Sequence, residues 1–585
     1  MDDAFVRGSR LLITNFVAGE SGITGTLGGT TRISGSAVAG SAHIANNTSV
    51  SVSGAGGGAV FSDDANAQQA KIDSQGGLLT GDNASTSFRD RASAGQVTIF
   101  NFGGRAASAF GGVTSFRGTA AAAGAATLVM AGGSADWALG GFAVLYADSN
   151  AGTATLDLRA ADVLGATGGR AQFFDRASAS SARISVPGSS IDHVLGPEAG
   201  AVTFAGASTA ADASFTVGGN SHDGGGVGTL RFAADSTAAS SNITLAAGQT
   251  RGGALSFEGL SVSALASAGN VRITNRGSSA RAPRGVAIGG QTTFSAYSSA
   301  GSASISNRAG FGFGLATFFA ASTARDANIA NLGGAAGEAG GTMQFNNSSS
   351  TARAVIVNRT GARGGSGFDA AGVTRFVDQA SADQAHITAE GGASSSAVGD
   401  LISFGGTANS ACATLIAEGG RNGGTSGRIQ FTDLTNASQT RVTLRAGAGT
   451  GDGELDISAI SVGSVEGGGI VSLGSKNLAV WSNPTGRSFS GLLRDGGISG
   501  GAGTSLSVAG GAAFKLTGGN SYSGGARIGD GLNAGSGKLV AANTSGSATG
   551  TGEVVVQRGG TLAGSGFIAG TSPCWTADSS RRGTP

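Results

Sequence analysis

Residues 294–307 read Phe294-Ser295-Ala296-Tyr297-Ser298-Ser299-Ala300-Gly301-Ser302-Ala303-Ser304-Ile305-Ser306-Asn307. The phrase Phe-x3-Ser-Ser/Thr-Ala-x2-Ala-x-Ile-x-Asn recurs along the chain, with Phe and Ile always 11 residues apart. Phe318 and Ile329, Phe345 and Ile356, and Phe376 and Ile387 keep that offset, as do Ile33 and Ile44, Phe61 and Ile72, Phe88 and Ile99, Phe204 and Phe215, Phe232 and Ile243, and Phe431 and Val442. Looser copies start at Phe116, Leu145, Phe173, Val262 and Phe404. The 15 copies start 24 to 32 residues apart, about 28 on average, which marks a repeat architecture with variable spacers.

Within the copy, Ala303, Ile305 and Asn307 share one face of an alternating segment. A period of two means strand rather than helix. Thr292-Thr293-Phe294 is a second short strand, and Ser295 to Gly301 forms a polar corner between the two. The slot six residues after the start holds Ala in 13 of 15 copies, the exceptions being Thr351 and Ser410. So narrow a choice marks an inward corner where a larger side chain would strike the copies above and below.

Two short strands cannot bury an apolar face alone, but stacking copy on copy buries it continuously. The expected fold is therefore all-β: a right-handed parallel β-helix of about 28-residue repeats. Phe stacks on Phe, Ile on Ile and Asn on Asn, at about 4.8 Å per turn, so 15 turns give a rod of roughly 70 Å. Asn46, Asn101, Asn307, Asn331 and Asn358 occupy the Asn slot and are expected to bond to one another and to turn backbone. Length variation is confined to Gly-rich spacers such as residues 333–341, and disorder is expected in the longer ones.

Composition narrows the function. The net charge of +1 gives no reason to expect nucleic acid as a partner. Only Cys412 and Cys574 are present, which excludes a disulfide framework and a cysteine-based zinc site. Residues 119–132 are too short and Gly-broken for a transmembrane helix. Met1-Asp2-Asp3-Ala4 has neither the basic start nor the apolar core of a signal peptide, and residues 11–16 look like half a repeat, so the expectation is a gene that begins further upstream.

The texture divides the chain into a repetitive region 1–450, irregular turns 451–514, a distinct repeat 515–570 and an aberrant tail 571–585, read as the product of a frameshift. Residues 515–528 read Lys515-Leu516-Thr517-Gly518-Gly519-Asn520-Ser521-Tyr522-Ser523-Gly524-Gly525-Ala526-Arg527-Ile528. Gly537-Lys538-Leu539-Val540, Gly552-Glu553-Val554-Val555-Val556 and Gly559-Gly560-Thr561-Leu562 follow. Residues 515–568 resemble the passenger-associated β-strand repeat of bacterial autotransporters, and residues 483–492 resemble the segment that often precedes it. The resemblance implies a right-handed β-helix, secreted or displayed at the outer membrane of a Gram-negative bacterium. It also implies folding assisted by this region and an outer-membrane β-barrel translocator. The expected partners are host or neighbouring-cell surface molecules or polysaccharide.

The search for chemistry yields little. His43, His193, His222 and His386 are scattered; His43 and His386 precede the Ile slot and point outward by parity, as surface filler. Asp63, Asp64, Asp90 and Arg91 form the best polar cluster, and corner carboxylates are commonly turn formers. Gly54-Ala55-Gly56-Gly57-Gly58-Ala59 fits a relaxed phosphate-binding pattern and reads as a flexible spacer. No catalytic, cofactor-binding or metal-binding set is assigned and no cofactor is expected. The expected role is structural or adhesin-like and non-enzymatic; the alternative is a β-helical polysaccharide lyase or hydrolase, which needs clustered acid–base groups.

Overall fold

The computed structural model describes residues 12–15, 29–49, 56–191, 198–222, 225–278, 288–361, 370–447, 451–457, 460–482, 487–497, 500–532 and 535–570. The expected tail anomaly at 571–585, together with Cys574, His193 and residues 483–486, lies outside them. The described residues are all-β without an α-helix, and parallel strands stack into a β-solenoid of about 17 turns at about 28-residue spacing. The chain forms two compact units: Met1–Ser306 with Gly310–Ala316, and Asn307–Ala309 with Thr317–Pro585. Their division falls inside the repetitive region.

In the first unit, each turn supplies one Phe-bearing and one Ile-bearing strand. The strands Gly58–Phe61, Ser85–Arg89 and Val113–Gly118 pair in parallel so that Phe61, Phe88 and Phe116 are direct partners. Leu145 takes the slot once, and Phe173, Phe204, Phe232, Phe257 and Phe294 continue it. Neighbouring rings stack with centroids 4.4–5.0 Å apart. Such contacts add about 0.5–1.5 kcal/mol each beyond burial. On the other wall Ile44, Ile72, Ile99 and Leu128 are in register. Phe204 meets Phe215 edge-on at 6.0 Å, joining the two walls across the interior.

The second unit repeats the plan. Phe318, Phe345, Phe376, Phe404 and Phe431 stack at 4.5–4.9 Å, and Ile329, Ile356, Ile387, Leu415 and Val442 form the facing column. All of these side chains are buried. The Asn slot forms a chain: Asn307 donates to Asn331 and Asn331 to Asn358, both at 2.7 Å.

The corner explains the rest of the phrase. The residue before the Ala slot bridges from turn to turn, as in Asn66, Ser93, Ala122 and Asn150. Its side-chain oxygen accepts the amide two residues on: Ser93 from Gly95, Ser267 from Gly269, Thr323 from Arg325 and Ser381 from Asp383. The donating amide belongs to a residue in the left-handed region, such as Gly95 at φ 65° or Arg325 at φ 50°. Ser and Thr suit the position because a short hydroxyl closes such a turn locally. The inward Ala residues, including Ala67, Ala94, Ala300, Ala324 and Ala382, are fully buried.

Two copies need correction. Phe257, not Val262, occupies the Phe slot between Phe232 and Phe294. Val262 is 76% exposed beside an antiparallel bridge from Ser261 to Ala264, where inserted residues bulge from the corner. In the copy beginning at Phe116, Ala122 is the bridging residue and Ala123 is the buried one, because Gly118 adds one residue to the corner.

One described Gly-rich spacer is ordered, whereas those at 50–55, 279–287 and 362–369 lie outside the described residues. The spacer at 333–341 is ordered by hydrogen bonds from Gly333 to Arg359, from Gly334 to Ala370 and from Gly341 to Leu332. Glycine is needed here for close approach rather than for freedom. A Cβ on Gly103 would lie 1.9 Å from the carbonyl oxygen of Gly132 in the next turn, and one on Gly391 would lie 2.3 Å from that of Gly419. Gly58 and Ala59, read as spacer, open the strand Gly58–Phe61.

In the 515–568 segment, the motif residues join turns. The strands Ala513–Leu516, Gly537–Ala541 and Gly560–Gly564 pair in parallel through Phe514, Leu539 and Leu562. The Asn520 side chain accepts the Leu493 amide at 2.8 Å and donates to the Ala548 carbonyl at 2.6 Å. Tyr522 is fully buried, and burial pushes its hydroxyl pKa upward.

Candidate functional site

The cluster at Asp63, Asp64, Asp90 and Arg91 is a pair of corners. Asp63 and Asp90 sit at φ 58° and 55°, where a short polar side chain is tolerated. Asp63 accepts the Gly35 amide at 2.9 Å, and Asp90 accepts the Asp63 amide at 3.2 Å. The same contact recurs from Ala147 to Asp175, Asn347 to Asp378 and Gly406 to Asp433. Arg91 grips Asp64 through two 2.7 Å bonds and holds that carboxyl below its usual range. These carboxylates hold turn to turn.

His222 and His386 are exposed. His43 differs from the filler expected of it: its Nε2 lies 2.7 Å from Asp73, which also receives Lys71 at 3.0 Å. Lys71 in turn lies 5.7 Å from the Phe100 ring centroid. Exposed Cys412 donates to the Gln439 side chain. Among the described residues, no three His, Cys, Asp or Glu side chains converge as metal ligands.

A mixed-charge groove lies in the second unit. The residues that follow the inward column, Glu390, Glu418 and Arg445, form a ladder: Glu390 donates its amide to Asn358, Glu418 to Ala389 and Arg445 to Ala417. Parity turns their side chains outward, since Ile387, Ala389, Leu415, Ala417, Val442 and Leu444 fill the interior. Thr360, Thr388, Gly391, Ala393, Gly419 and Arg421 complete a groove of about 300 Å³. Glu418 and Arg445 approach to 3.5 Å. Among the described residues, Glu390 and Arg421 enter no ion pair. Beside Glu390 lies Asp400, fully buried, with its amide donating to the Glu390 carbonyl. One carboxylate oxygen accepts the Gly372 amide at 2.7 Å and the other has no hydrogen-bond partner. Burial first, and the Glu390 charge second, push the Asp400 pKa well above its usual value.

No protein-family model and no curated protein sequence matches the chain. Sequence reasoning missed this groove, although a signal was there. Ala-Glu-Gly-Gly stands at residues 389–392 and again at 417–420, so both Glu residues occupy the same place in successive copies.

Proposed function

We propose that the chain is a secreted or surface-displayed structural and adhesive β-solenoid, part of an autotransporter passenger, and not an enzyme. The carrying observation is how the recurrent polar residues are used. Corner Asp63, Asp90, Asp175, Asp378 and Asp433 bond to the neighbouring turn, and Ser93, Ser267 and Ser381 close their own corners. A repeat whose polar residues serve turn-to-turn cohesion suits a scaffold that presents its lateral surfaces. Asn520 supports the resemblance at 515–568, since this motif residue is bonded to turns on both sides.

The second reading is a polysaccharide lyase or hydrolase, favoured by Glu390 and Glu418 on consecutive turns of one groove. Reducing-end release from a polysaccharide panel separates the two readings: the scaffold releases none, and sustained release abolished by Glu418→Gln would establish the enzyme. Display is tested with antibody against the second unit on intact cells that make the protein. Labelling that external protease removes is expected; signal only after lysis would overturn display.

A further inference from the structure

We infer that the groove lined by Thr360, Thr388, Glu390, Glu418, Arg421 and Arg445 binds a saccharide chain, an inference that rests on the adhesive reading and gives it a site. The lining sets the ligand class. Two carboxylates accept hydrogen bonds, two guanidinium groups donate them in a planar fork, and the Thr388 hydroxyl does both, while Thr360 gives its proton to the Gly391 carbonyl and can accept. Adjacent hydroxyl groups on a sugar ring offer this mixture of donors and acceptors at short spacing. The two charge signs balance within the groove, which favours a polyhydroxylated ligand over a strongly ionic one.

The geometry points the same way. The lining residues come from four successive turns, so the groove follows the stacking direction for roughly 14 Å at about 4.8 Å per turn. A linear chain of sugars matches such a trough. A peptide ligand would need apolar pockets for its anchoring side chains; among the described residues, the only apolar side chain in the lining is Ala393. Among the described residues, Arg421 and Glu390 enter no ion pair. The ladder of amides from Glu390, Glu418 and Arg445 fixes the backbone under three of these groups.

The test is a glycan array of neutral and uronate-containing oligosaccharides, read with the full chain and three variants, with a random-peptide array alongside. Wild type retains a subset of glycans, and Glu390→Gln and Arg421→Ala each weaken retention at least tenfold. Arg353→Ala, outside the groove, retains wild-type binding. Unchanged far-UV circular dichroism confirms that the variants fold. Retention of no glycan, equal retention by the groove variants, or peptide retention that these variants abolish would overturn the site. The two proposals fail separately: labelled intact cells whose protein retains no glycan would overturn the groove alone. Glycan retention by a chain confined inside the cell would overturn display alone.

Discussion

The Thr114 hydroxyl donates to the side-chain oxygen of Asn101 at 2.9 Å across the interior of the first unit. The pairing recurs. Ser74 meets Thr86 at 3.0 Å, Asn275 meets Thr292 at 2.8 Å, and in the second unit Asn358 meets Thr374 at 2.8 Å. Where the first slot is apolar, so is the second: Leu158 precedes Ala171, Val186 precedes Val202, and Leu245 precedes Leu255, all buried. Asn331, which precedes Met343, reaches instead to Asn358 and Thr374. In each of these pairs one interior polar group satisfies another.

Thr114→Val therefore leaves the Asn101 oxygen without its hydroxyl donor and is expected to cost about 1–3 kcal/mol. Asn101→Leu combined with Thr114→Ala reproduces the Leu158 and Ala171 pair. The double variant should cost less than the summed single changes, by about 0.5 kcal/mol or more. Urea midpoints for the four-member cycle check this; strict additivity would show that the two side chains are not coupled.

Phe345→Ala removes a fully buried ring from between Phe318 and Phe376. It should cost about 3–5 kcal/mol by the core-cavity relation. Thermal and urea unfolding measure it, and a loss under 1 kcal/mol would place the ring outside a packed column.

Ala324 and Arg325 are neighbours with opposite tolerances. Ala324 is fully buried in the corner, and Ala324→Leu should overpack it by about 1–3 kcal/mol. Arg325 is exposed, so Arg325→Leu should stay within about 0.5 kcal/mol of wild type. Its φ of 50° adds a further expectation. Arg325→Gly should stabilise by about 1 kcal/mol, because glycine occupies the left-handed region without the Cβ penalty. Destabilisation by the glycine variant would contradict the corner geometry.

Asp400 predicts the pH dependence of the second unit. Its folded pKa is raised by burial, so its stabilising contribution is complete below the ordinary carboxylate range and is lost as pH rises through the folded value. Asp400→Asn should leave the melting temperature at pH 4 near that of wild type and raise it at pH 8. The asparagine oxygen keeps the Gly372 amide bond. An equal shift at both pH values would show that charge is not the cause.

The strands, the two stacked columns and the Ala slot were legible because one side chain repeats at one fixed distance. Inserted residues defeated that reading at Val262 and Phe116: a corner absorbs additions outward without disturbing either column. The order of the spacer at 333–341 was not legible because composition alone does not separate glycine chosen for mobility from glycine chosen for contact, as at Gly103. The partnership of Asn101 with Thr114 was hidden because their offset crosses a spacer of variable length. Glu390 and Glu418 went unremarked because their shared Ala-Glu-Gly-Gly recurs in only two successive copies, at the start of a Gly-rich spacer.

The central claim is that one phrase makes one turn, with each turn in register on the next. Gln344 and Arg375, both outward and 31 residues apart, are direct partners in adjacent strands. In a background of Cys412→Ser and Cys574→Ser, Gln344→Cys with Arg375→Cys should close a disulfide on mild oxidation, since paired strands lie about 4.8 Å apart. Gln344→Cys with Ser403→Cys spans two turns and should not. Cross-linking of the first pair alone, read by mobility under non-reducing conditions, is the predicted result; equal cross-linking of both pairs, or of neither, would contradict the register.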